Sequence, residues 1–239
     1  VAGHANRHFV HQSDISFICD VGAGMVALTD GLAADATWPD GDLSAMKDAL
    51  RADFPREEEW GPAAVIDAAR NSFPRDGFAA VDTGAHRILL SQQWECYAPR
   101  TLTQSTGLCT MGCAMPMALG HKIANPDQPV IAFTGDGGLE MIMGELATLR
   151  DHQLPVIVIV FVDQSLSLIE LKQRANAQEN LGVDFGGTDF AAIANVMGGV
   201  GVTVTNRGDL ENAIKAGLEV DTFTIIACPI GRKAYDGRF

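Results

Sequence analysis

The chain has 239 residues, of which 47% are hydrophobic, and its 17 basic and 30 acidic residues give a formal net charge of −13. This length supports one sizeable core, which excludes a short peptide module, and the charge argues against nucleic acid or an anionic membrane as a partner. The five cysteines form no metal-ligand pattern, and the sequence contains neither a membrane-length apolar run nor a secretory segment. These features predict free thiols and a cytoplasmic protein.

The first 60 residues differ in pattern from the rest of the chain. Residues 14–20 form a strand-like run, and residues 21–27 (VGAGMVA) match a loose GxGxxA dinucleotide fingerprint. The match is incomplete, because residues 35–42 (DATWPDGD) are polar and turn-rich where a second strand ending in an acid is required. Residues 36–60 predict a linker with one short helix over 43–52.

Strands and helices alternate over residues 61–239, which we predict to be one domain. Six apolar runs with helical patterns between them predict an α/β fold, a doubly wound and mainly parallel six-stranded sheet with helices on both faces. The predicted strands are residues 78–82, 101–104, 129–134, 154–162, 201–205 and 222–228. The predicted helices are residues 63–73, 110–124, 138–152, 168–177, 189–197 and 209–220.

Two acids follow two consecutive strands of this sheet. One apolar strand ends at Gly135-Asp136-Gly137-Gly138, and the next ends at Asp163. A right-handed βαβ unit brings both acids to the same edge of the sheet, and the glycines let backbone amides approach a phosphate there. Two carboxylates with carbonyl and phosphate oxygens suit Mg²⁺ better than Zn²⁺. No phosphate-loop lysine follows, so the pattern excludes a Walker-type nucleotide site.

This pattern resembles the cofactor motif of thiamine diphosphate (ThDP)-dependent enzymes, in which GDG is followed later in the chain by Asn-Asn or a variant. GDG is Gly135-Asp136-Gly137, and the last metal-ligand position falls on Asp163, where most members carry Asn. An Asp at that place, together with residues 182–186 (GVDFG), is similar to the catabolic acetolactate synthases. The resemblance implies Mg²⁺ bound by Asp136, Asp163 and the main-chain carbonyl of Ser165.

The resemblance also implies contacts from two further segments of the chain. A turn at Gly84-Ala85-His86 is expected to donate amide hydrogen bonds to the diphosphate, and His86, if protonated, to add a charge-assisted bond. The family's aminopyrimidine segment corresponds to residues 105–112, where Met111 is expected to support the cofactor conformation. A surface histidine and a core methionine are the alternatives. The implied cofactor contacts are Gly84, Ala85, His86, Cys109, Met111, Gly135, Gly137, Gly138, Ser165 and Leu166.

By this resemblance the chain is the C-terminal cofactor domain of an enzyme that decarboxylates 2-oxo acids, with or without carboligation. Family members take an activating glutamate from a pyrimidine-binding domain, usually of another subunit, and this chain contains no such domain. Glu140 and Glu145 lie on the helix after GDG and are poor substitutes. We therefore predict a homo-oligomer that is incomplete for catalysis alone, with residues 1–35 as a remnant of the family's middle domain.

Several alternatives stay open. Glu170 and Lys172 stand where biosynthetic acetolactate synthases carry Met and an acceptor-selecting Trp, which puts the acceptor in doubt. A simple 2-oxo acid decarboxylase, or one acting on sulfo- or phosphono-substituted substrates, fits the same motif, as does a non-catalytic cofactor-binding subunit. A Mg²⁺-dependent phosphohydrolase using Asp136 and Asp163 is a further alternative, and solvated acids on an ordinary βαβ turn are the simplest one.

Overall fold

A computed structural model describes residues 1–5, 13–33 and 41–239, which fall into two compact units, Val1–Met46 and Lys47–Phe239. The predicted domain remnant and linker are therefore described only in part, because residues 6–12 and 34–40 lie outside these ranges. No helix within the described ranges is both long enough and apolar enough to cross a membrane.

The smaller unit contains little regular structure in its described part. Helix α1 (Val21–Thr29) begins where the Asp20 side chain accepts a hydrogen bond from the amide of Ala23 at 2.8 Å, and it has no buried residue. The strand predicted over 14–20 is wrong, since the described β-pairing of this unit is a single bridge between Ala2 and Ile18. The GxGxxA segment thus forms a helix without a preceding strand, which removes the context that dinucleotide binding requires.

The larger unit is built on one sheet whose six strands are all parallel, in the order β2-β1-β3-β4-β6-β5. The predicted α/β fold with a doubly wound six-stranded sheet is confirmed. The strands are β1 (Phe78–Val81), β2 (Leu102–Gln104), β3 (Val130–Gly135), β4 (Val156–Val162), β5 (Val200–Thr203) and β6 (Thr224–Pro229).

Helices cover both faces of this sheet. Alternate side chains of each strand enter opposite layers, so that Ile131 and Phe133 join one hydrophobic cluster while Val130 and Ala132 join the other. The larger of these side chains, valine, isoleucine and phenylalanine, each contribute about 1.5–3 kcal/mol when fully buried. The helices of this unit after residue 60 are α3 (Pro62–Ser72), α4 (Ala85–Gln93), α5 (Ala114–Ala124), α6 (Asp136–Glu140), α7 (Leu146–Asp151), α8 (Ser167–Ala175), α9 (Phe190–Val196) and α10 (Arg207–Gly217). Helix α2 (Asp42–Asp53) precedes them and has no buried residue.

Two helical segments differ from the prediction. Helix α4 (Ala85–Gln93) was not predicted, since only a turn was expected at Gly84-Ala85-His86. The helix predicted over 138–152 is interrupted, since α6 ends at Glu140 and a 3₁₀ turn (Met143–Glu145) precedes α7. Gly144 lies in the break, where its low helix propensity weakens the continuous alternative. Helix α6 has only five residues, so its dipole is too small to contribute much to phosphate binding.

The order of the strands creates a crevice at one edge of the sheet. From β1 the chain passes to β2 on one side, and then to β3 on the other side of β1. The connections after β1 and β3 thus leave in opposite directions, and ligands of such sheets bind at the carboxyl ends of strands at this switch point. Asp82, Asp136 and Asp163 follow β1, β3 and β4 respectively, so all three acids lie at this edge.

Candidate functional site

A cavity of about 220 Å³ opens at the carboxyl ends of β1, β3 and β4. Every residue that the sequence analysis predicted to contact the cofactor or metal lines it, although these segments are up to about eighty residues apart in the chain. The structure therefore brings the predicted site residues together, while their roles toward a ligand stay predictions. These residues are Gly84, Ala85, His86, Cys109, Met111, Gly135, Asp136, Gly137, Gly138, Asp163, Ser165 and Leu166.

Asp136 fixes the geometry of the two loops that carry the acids. One carboxylate oxygen accepts from the amide of Gly137 at 2.8 Å, and the other accepts from the amides of Asp163 at 3.0 Å and Gln164 at 2.7 Å. Burial raises the pKa of Asp136 and outweighs these three hydrogen bonds, which act in the opposite direction. Gln164 adopts a left-handed conformation with φ of 56°, which turns the second loop back toward the cavity.

Asp163 is 6% exposed and lies next to Asp136. Its carboxylate accepts from the Ser167 hydroxyl and, at 3.2 Å, from the amide of Ser165. Burial, together with the nearby charge of Asp136, raises the pKa of Asp163 to about 7. Two buried carboxylates side by side are therefore costly to ionise together, and a bound cation would remove that cost.

The described chain supplies no charge to balance this pair. No lysine or arginine is among the residues that line the cavity. Nor do the described residues include a group of three or more histidine, cysteine, aspartate or glutamate side chains placed to hold a metal ion. A divalent cation at Asp136 and Asp163 would therefore need oxygen ligands from a bound molecule, which is how Mg²⁺ binds with substrate phosphates.

Three helices begin at this cavity, and none receives a capping hydrogen bond from the side chain of its N-cap residue. Helices α4, α6 and α8 start after Gly84, Gly135 and Leu166. In α6 the Asp136 carboxylate accepts from the amide of Gly137, whereas the described first turns of α4 and α8 have no such side-chain acceptor. The first amides of a helix lack partners within the helix and favour anions. Helices α4 and α8 have nine residues each, so their uncapped first turns make the stronger case for an anion site.

One glycine at the cavity has no room for a side chain, and a second has little. A Cβ on Gly138 would collide with the Asp82 carboxylate and lie 2.7 Å from the Thr134 hydroxyl oxygen. A Cβ on Gly137 would lie 3.1 Å from Leu166 and 3.6 Å from the methyl carbon of Met111, so it would narrow the cavity. Glycine at 138 thus serves the protein's own packing, whereas glycine at 137 keeps the cavity open.

Asp82 organises the site, although the sequence analysis assigned it no role. Its carboxylate accepts from the amides of Gly112 at 2.8 Å and Cys113 at 3.1 Å and from the Thr134 hydroxyl at 2.8 Å. It also accepts from the amide of Thr83. This buried acid therefore ties the segment around Met111 to the ends of β1 and β3.

His86 lies on the first turn of α4 and is 4% exposed, not on a surface turn. Its ring stacks on Phe161 with centroids 5.3 Å apart. Burial lowers the pKa of His86 to about 4, so the imidazole is neutral near pH 7. The charge-assisted bond expected of a protonated His86 is therefore not available near pH 7. Nε2 has no hydrogen-bond partner among the described residues.

Met111 and Cys109 form the opposite rim of the cavity. Both are half-buried, and Cys109 adopts a left-handed conformation with φ of 49°. Their neighbour Leu108 is 99% exposed, which is unusual for an apolar side chain of this size. The segment therefore presents one apolar residue to the cavity and another to solvent.

Several polar groups at the cavity lack hydrogen-bond partners. Among the described residues, the buried side-chain atoms without a partner include Oγ1 of Thr83, Nε2 of His86 and Oγ of Ser165, all from residues that line the cavity. Leaving such a group unsatisfied costs about 1–3 kcal/mol. A polar molecule in the cavity would therefore satisfy groups that the chain itself leaves open.

Sequence reasoning missed several residues of this site. Phe161, Ser167 and Tyr235 line the cavity, and residues 183–185 hold the loop after β4 through a bridge between Ser165 and Asp184. The amide of Leu166 donates to the carbonyl of Val183 at 2.8 Å in this bridge. Phe161 could have been predicted from the sequence, because it lies near the end of the predicted strand that precedes Asp163. No local pattern indicates Tyr235.

The four glutamate and lysine positions discussed above lie away from the cavity. Glu170 is 5% exposed and accepts two hydrogen bonds from Arg174 and one from Asn180, while Lys172 is exposed. Glu140 bonds the Thr188 side chain and Glu145 bonds that of Thr148. On the same helix as Glu170, the residues that line the cavity are Ser167, Leu168 and Ile169, of which two are apolar.

Comparison with known proteins gives a family for the chain. Residues 82–228 match the family model for the C-terminal TPP-binding domain of thiamine pyrophosphate enzymes. The chain is 28% identical over 169 residues to the catabolic acetolactate synthase of Raoultella terrigena, which covers 71% of this chain and 30% of that protein. It is 31% identical over 231 residues to the acetolactate synthase large subunit of Parasynechococcus marenigrum (strain WH8102), which covers 92% of this chain and 37% of the relative.

A solved structure shares the fold. The thiamine diphosphate-dependent 4-hydroxybenzoylformate decarboxylase of Rhodococcus jostii RHA1 superposes with a TM-score of 0.69 at 22% identity, covering 74% of this chain and 33% of that one. The chain spans about a third of the length of these relatives. Together with the geometry of the cavity, the family match means that this chain belongs to the thiamine pyrophosphate enzymes and contains their C-terminal TPP-binding domain, similar to that of acetolactate synthases.

Proposed function

We propose that the chain supplies the diphosphate- and Mg²⁺-binding part of the cofactor site in an enzyme that decarboxylates 2-oxo acids, with or without carboligation. The observation that carries this proposal is one cavity with two buried carboxylates, no balancing cation and three unsatisfied polar side chains. A diphosphate bridged by Mg²⁺ satisfies both needs at once, because the metal balances the acids and the phosphate oxygens accept from the open donors.

Asp136, Asp163 and the main-chain carbonyl of Ser165 would hold the Mg²⁺ ion in this proposal. The uncapped amides at the start of α4 and α8 and the neutral His86 side chain would hold the diphosphate oxygens. Gly137 leaves the space that the cofactor needs, because a side chain there would press on Leu166 and Met111.

Cys109 and Met111 would position the rest of the cofactor. The Cys109 carbonyl and the Met111 amide are proposed to form hydrogen bonds with the aminopyrimidine. The flexible Met111 side chain is proposed to support the conformation of the cofactor. When bound, thiamine diphosphate supplies the carbon nucleophile for the 2-oxo acid and accepts the electrons left by decarboxylation. The apolar Leu168 and Ile169 would exclude water beside it.

The activating acid must then come from elsewhere, and we propose a pyrimidine-binding domain of the same or another chain. The family match at residues 82–228 covers the C-terminal domain alone, and Glu140 and Glu145 are engaged outside the cavity. We propose a homo-oligomer on the same grounds. The 92% coverage by one acetolactate synthase subunit supports assigning residues 1–35 to the preceding domain and 36–60 to a linker.

A cytoplasmic location is part of the same proposal. The net charge of −13 supports it, as do the five cysteines, which are all free thiols. The identities of 28% to a catabolic synthase and 31% to another large subunit are too similar to assign a branch. The proposal therefore names a 2-oxo acid as the substrate that is decarboxylated. It assigns no acceptor, and so it does not decide whether carboligation follows.

Titration of the purified chain with ThDP and Mg²⁺ together tests the proposal. We expect weak binding, detectable with millimolar ligand, that disappears without Mg²⁺. We expect no decarboxylation of pyruvate by the chain alone, and activity once a pyrimidine-binding domain with its glutamate is added.

Two results would contradict this. Absence of ThDP binding at millimolar ligand and Mg²⁺ would overturn the cofactor assignment. Turnover of a 2-oxo acid by the chain alone, at about 1 per second or more, would show that the activating acid lies within it. Binding without activity in the presence of an added pyrimidine-binding domain would instead favour a non-catalytic cofactor-binding subunit.

A further inference from the structure

The segment after β6, residues 230–239, closes one side of the cavity. Tyr235 is 2% exposed and lines the cavity together with Asp136 and Asp163. The family match ends at residue 228, so this tyrosine lies outside the part of the chain that the family model describes. It is one of only two tyrosines in the sequence.

Ion pairs hold this segment in place from both sides of Tyr235. Asp236, the next residue, pairs with Arg174 through hydrogen bonds of 2.9 and 2.6 Å, and Arg174 also binds Glu170. Arg232 pairs with Asp184 at 3.0 Å, in the bridge that holds the loop after β4. The buried Glu170 therefore does not face the cavity, but it fixes the arginine that anchors the tyrosine.

Tyr235 is 2% exposed as a residue, and its hydroxyl makes no side-chain hydrogen bond within the described structure. The oxygen is not among the fully buried atoms without a partner, so it is accessible at the cavity that Tyr235 lines. Burial and the nearby charges of Asp163 and Asp136 raise the pKa of Tyr235 well above its usual value. Near pH 7 the phenol is a neutral O–H donor. A buried tyrosine normally bonds a partner, so the acceptor is expected to come with a ligand.

We propose that the Tyr235 hydroxyl donates a hydrogen bond to the diphosphate of the bound cofactor, so that residues 230–239 form part of the binding site. This rests on the proposed function. Both carboxylates in the cavity already have hydrogen-bond donors. Asp136 accepts three amide hydrogen bonds, and Asp163 accepts from Ser165 and Ser167. A diphosphate oxygen is therefore the acceptor that we assign to Tyr235. Tyr235 then acts as a binding residue that the family motif does not include.

The test compares Tyr235→Phe with Tyr97→Phe, which removes the other tyrosine hydroxyl. Tyr97 is 39% exposed, lies away from the cavity and bonds Glu95 at the surface. The wild-type chain and both variants are titrated with Mg²⁺-ThDP and with Mg²⁺-pyrophosphate. We expect Tyr235→Phe to weaken both ligands by about tenfold or more, the loss typical of a hydrogen bond to a charged group, and Tyr97→Phe to change neither.

Thermal unfolding without ligand supplies a second readout. Since the hydroxyl has no partner in the ligand-free chain, Tyr235→Phe should leave the Tm unchanged or raise it, while the shift that Mg²⁺-pyrophosphate produces should shrink. A lower Tm in the ligand-free variant, with unchanged ligand affinity, would mean that the phenol serves packing only and would overturn the inference.

Arg174→Gln tests the anchor of the same segment. It should weaken Mg²⁺-pyrophosphate binding in the wild-type background and have little further effect in Tyr235→Phe, because both changes remove one interaction. Full additivity would contradict positioning of Tyr235 by Arg174. Equal affinity of wild type and Tyr235→Phe would overturn the inference alone, whereas absence of any binding by the wild type would overturn the proposed function as well.

Discussion

Two groups of buried or half-buried acids in the larger unit have opposite surroundings. In the first group, Asp67 forms ion pairs with Arg207 at 2.6 Å and with Arg56 at 3.8 Å. Glu58 in the same group forms an ion pair with Arg238. At the second, Asp136 and Asp163 lie together in the cavity, where no arginine or lysine is among the lining residues. The chain balances its own charge in one place and leaves it unbalanced in the other.

On the proposed function, this difference separates structural acids from acids that serve a ligand. An arginine beside a carboxylate forms an ion pair that stabilises the folded state whether or not a ligand is bound. A carboxylate pair without a cation instead raises its own pKa, and the protein loses stability unless something binds. The paired acids should therefore control stability, and the unpaired acids should control affinity.

The largest effect that tests this comparison is expected from Asp136→Ala. This change removes one of the two carboxylates proposed to hold Mg²⁺, so affinity for Mg²⁺-ThDP should fall by at least about a hundredfold. Titration calorimetry measures the loss, and circular dichroism checks that the fold is kept. Asp67→Ala is the matched control, in which affinity should stay the same while thermal stability falls. Unchanged affinity in Asp136→Ala would refute the metal assignment.

A medium effect is expected in the pH dependence of stability. The pKa of Asp163 is about 7 in the folded chain, above its ordinary value of 3.8, so the stability this group contributes is full below about pH 4 and is lost as the pH rises through 7. The pKa of His86 is lowered from 6.5 to about 4, so its contribution changes only below about pH 6.5. Between pH 6.5 and 8 the metal-free chain should therefore become less stable.

Asp163→Asn sharpens this test. The Tm of the metal-free variant should vary less than that of the wild type between pH 6.5 and 8, because the titrating carboxyl is gone. The amide oxygen can still bind Mg²⁺, so affinity for Mg²⁺-ThDP should be largely kept. A variant with the same pH profile as the wild type would assign the pH dependence to another group.

The smallest effect is expected from Arg207→Gln, at the balanced acids. The side chains of Arg207 and Asp67 are 30% and 19% exposed, so the pair is half-buried, and its loss should lower the free energy of unfolding by about 1 kcal/mol. Chemical denaturation measures this cost. Affinity for Mg²⁺-ThDP should not change, and a weaker affinity would mean that the two groups of acids are coupled.

The sequence predicted the sheet and the acid pair because both depend on local patterns. Parallel strands buried on both faces appear as continuous apolar runs, and β3 and β4 begin and end within two residues of the predicted bounds. The Gly-Asp-Gly turn and Asp163 follow directly from where those runs end. The cofactor residues came from the family resemblance, and the structure places them around one cavity.

The parts that the sequence did not predict depend on long-range contacts. Helix α4 begins at Ala85 after the N-cap residue Gly84, which has no side chain to cap it, so the sequence carries no recognisable start signal there. The break before α7 places Ile142 against Gly112, where a Cβ would lie 2.9 Å from its side chain. Tyr235 reaches the cavity through the pair between Arg174 and Asp236, which are 62 residues apart, and no local pattern encodes that contact.

The position of Tyr235 after the last strand also affects the order in which the site is built. The ribosome adds both carboxylates long before residues 230–239, and the anchors of that segment reach back to Glu58 and Arg174. During synthesis, Asp136 and Asp163 are therefore present before the segment that covers one side of the cavity. Contacts that close a long loop form slowly, so this segment is expected to pack late. A cofactor that binds after this segment has packed makes its contacts only with the folded site. Metal and diphosphate should therefore slow unfolding more than they speed folding.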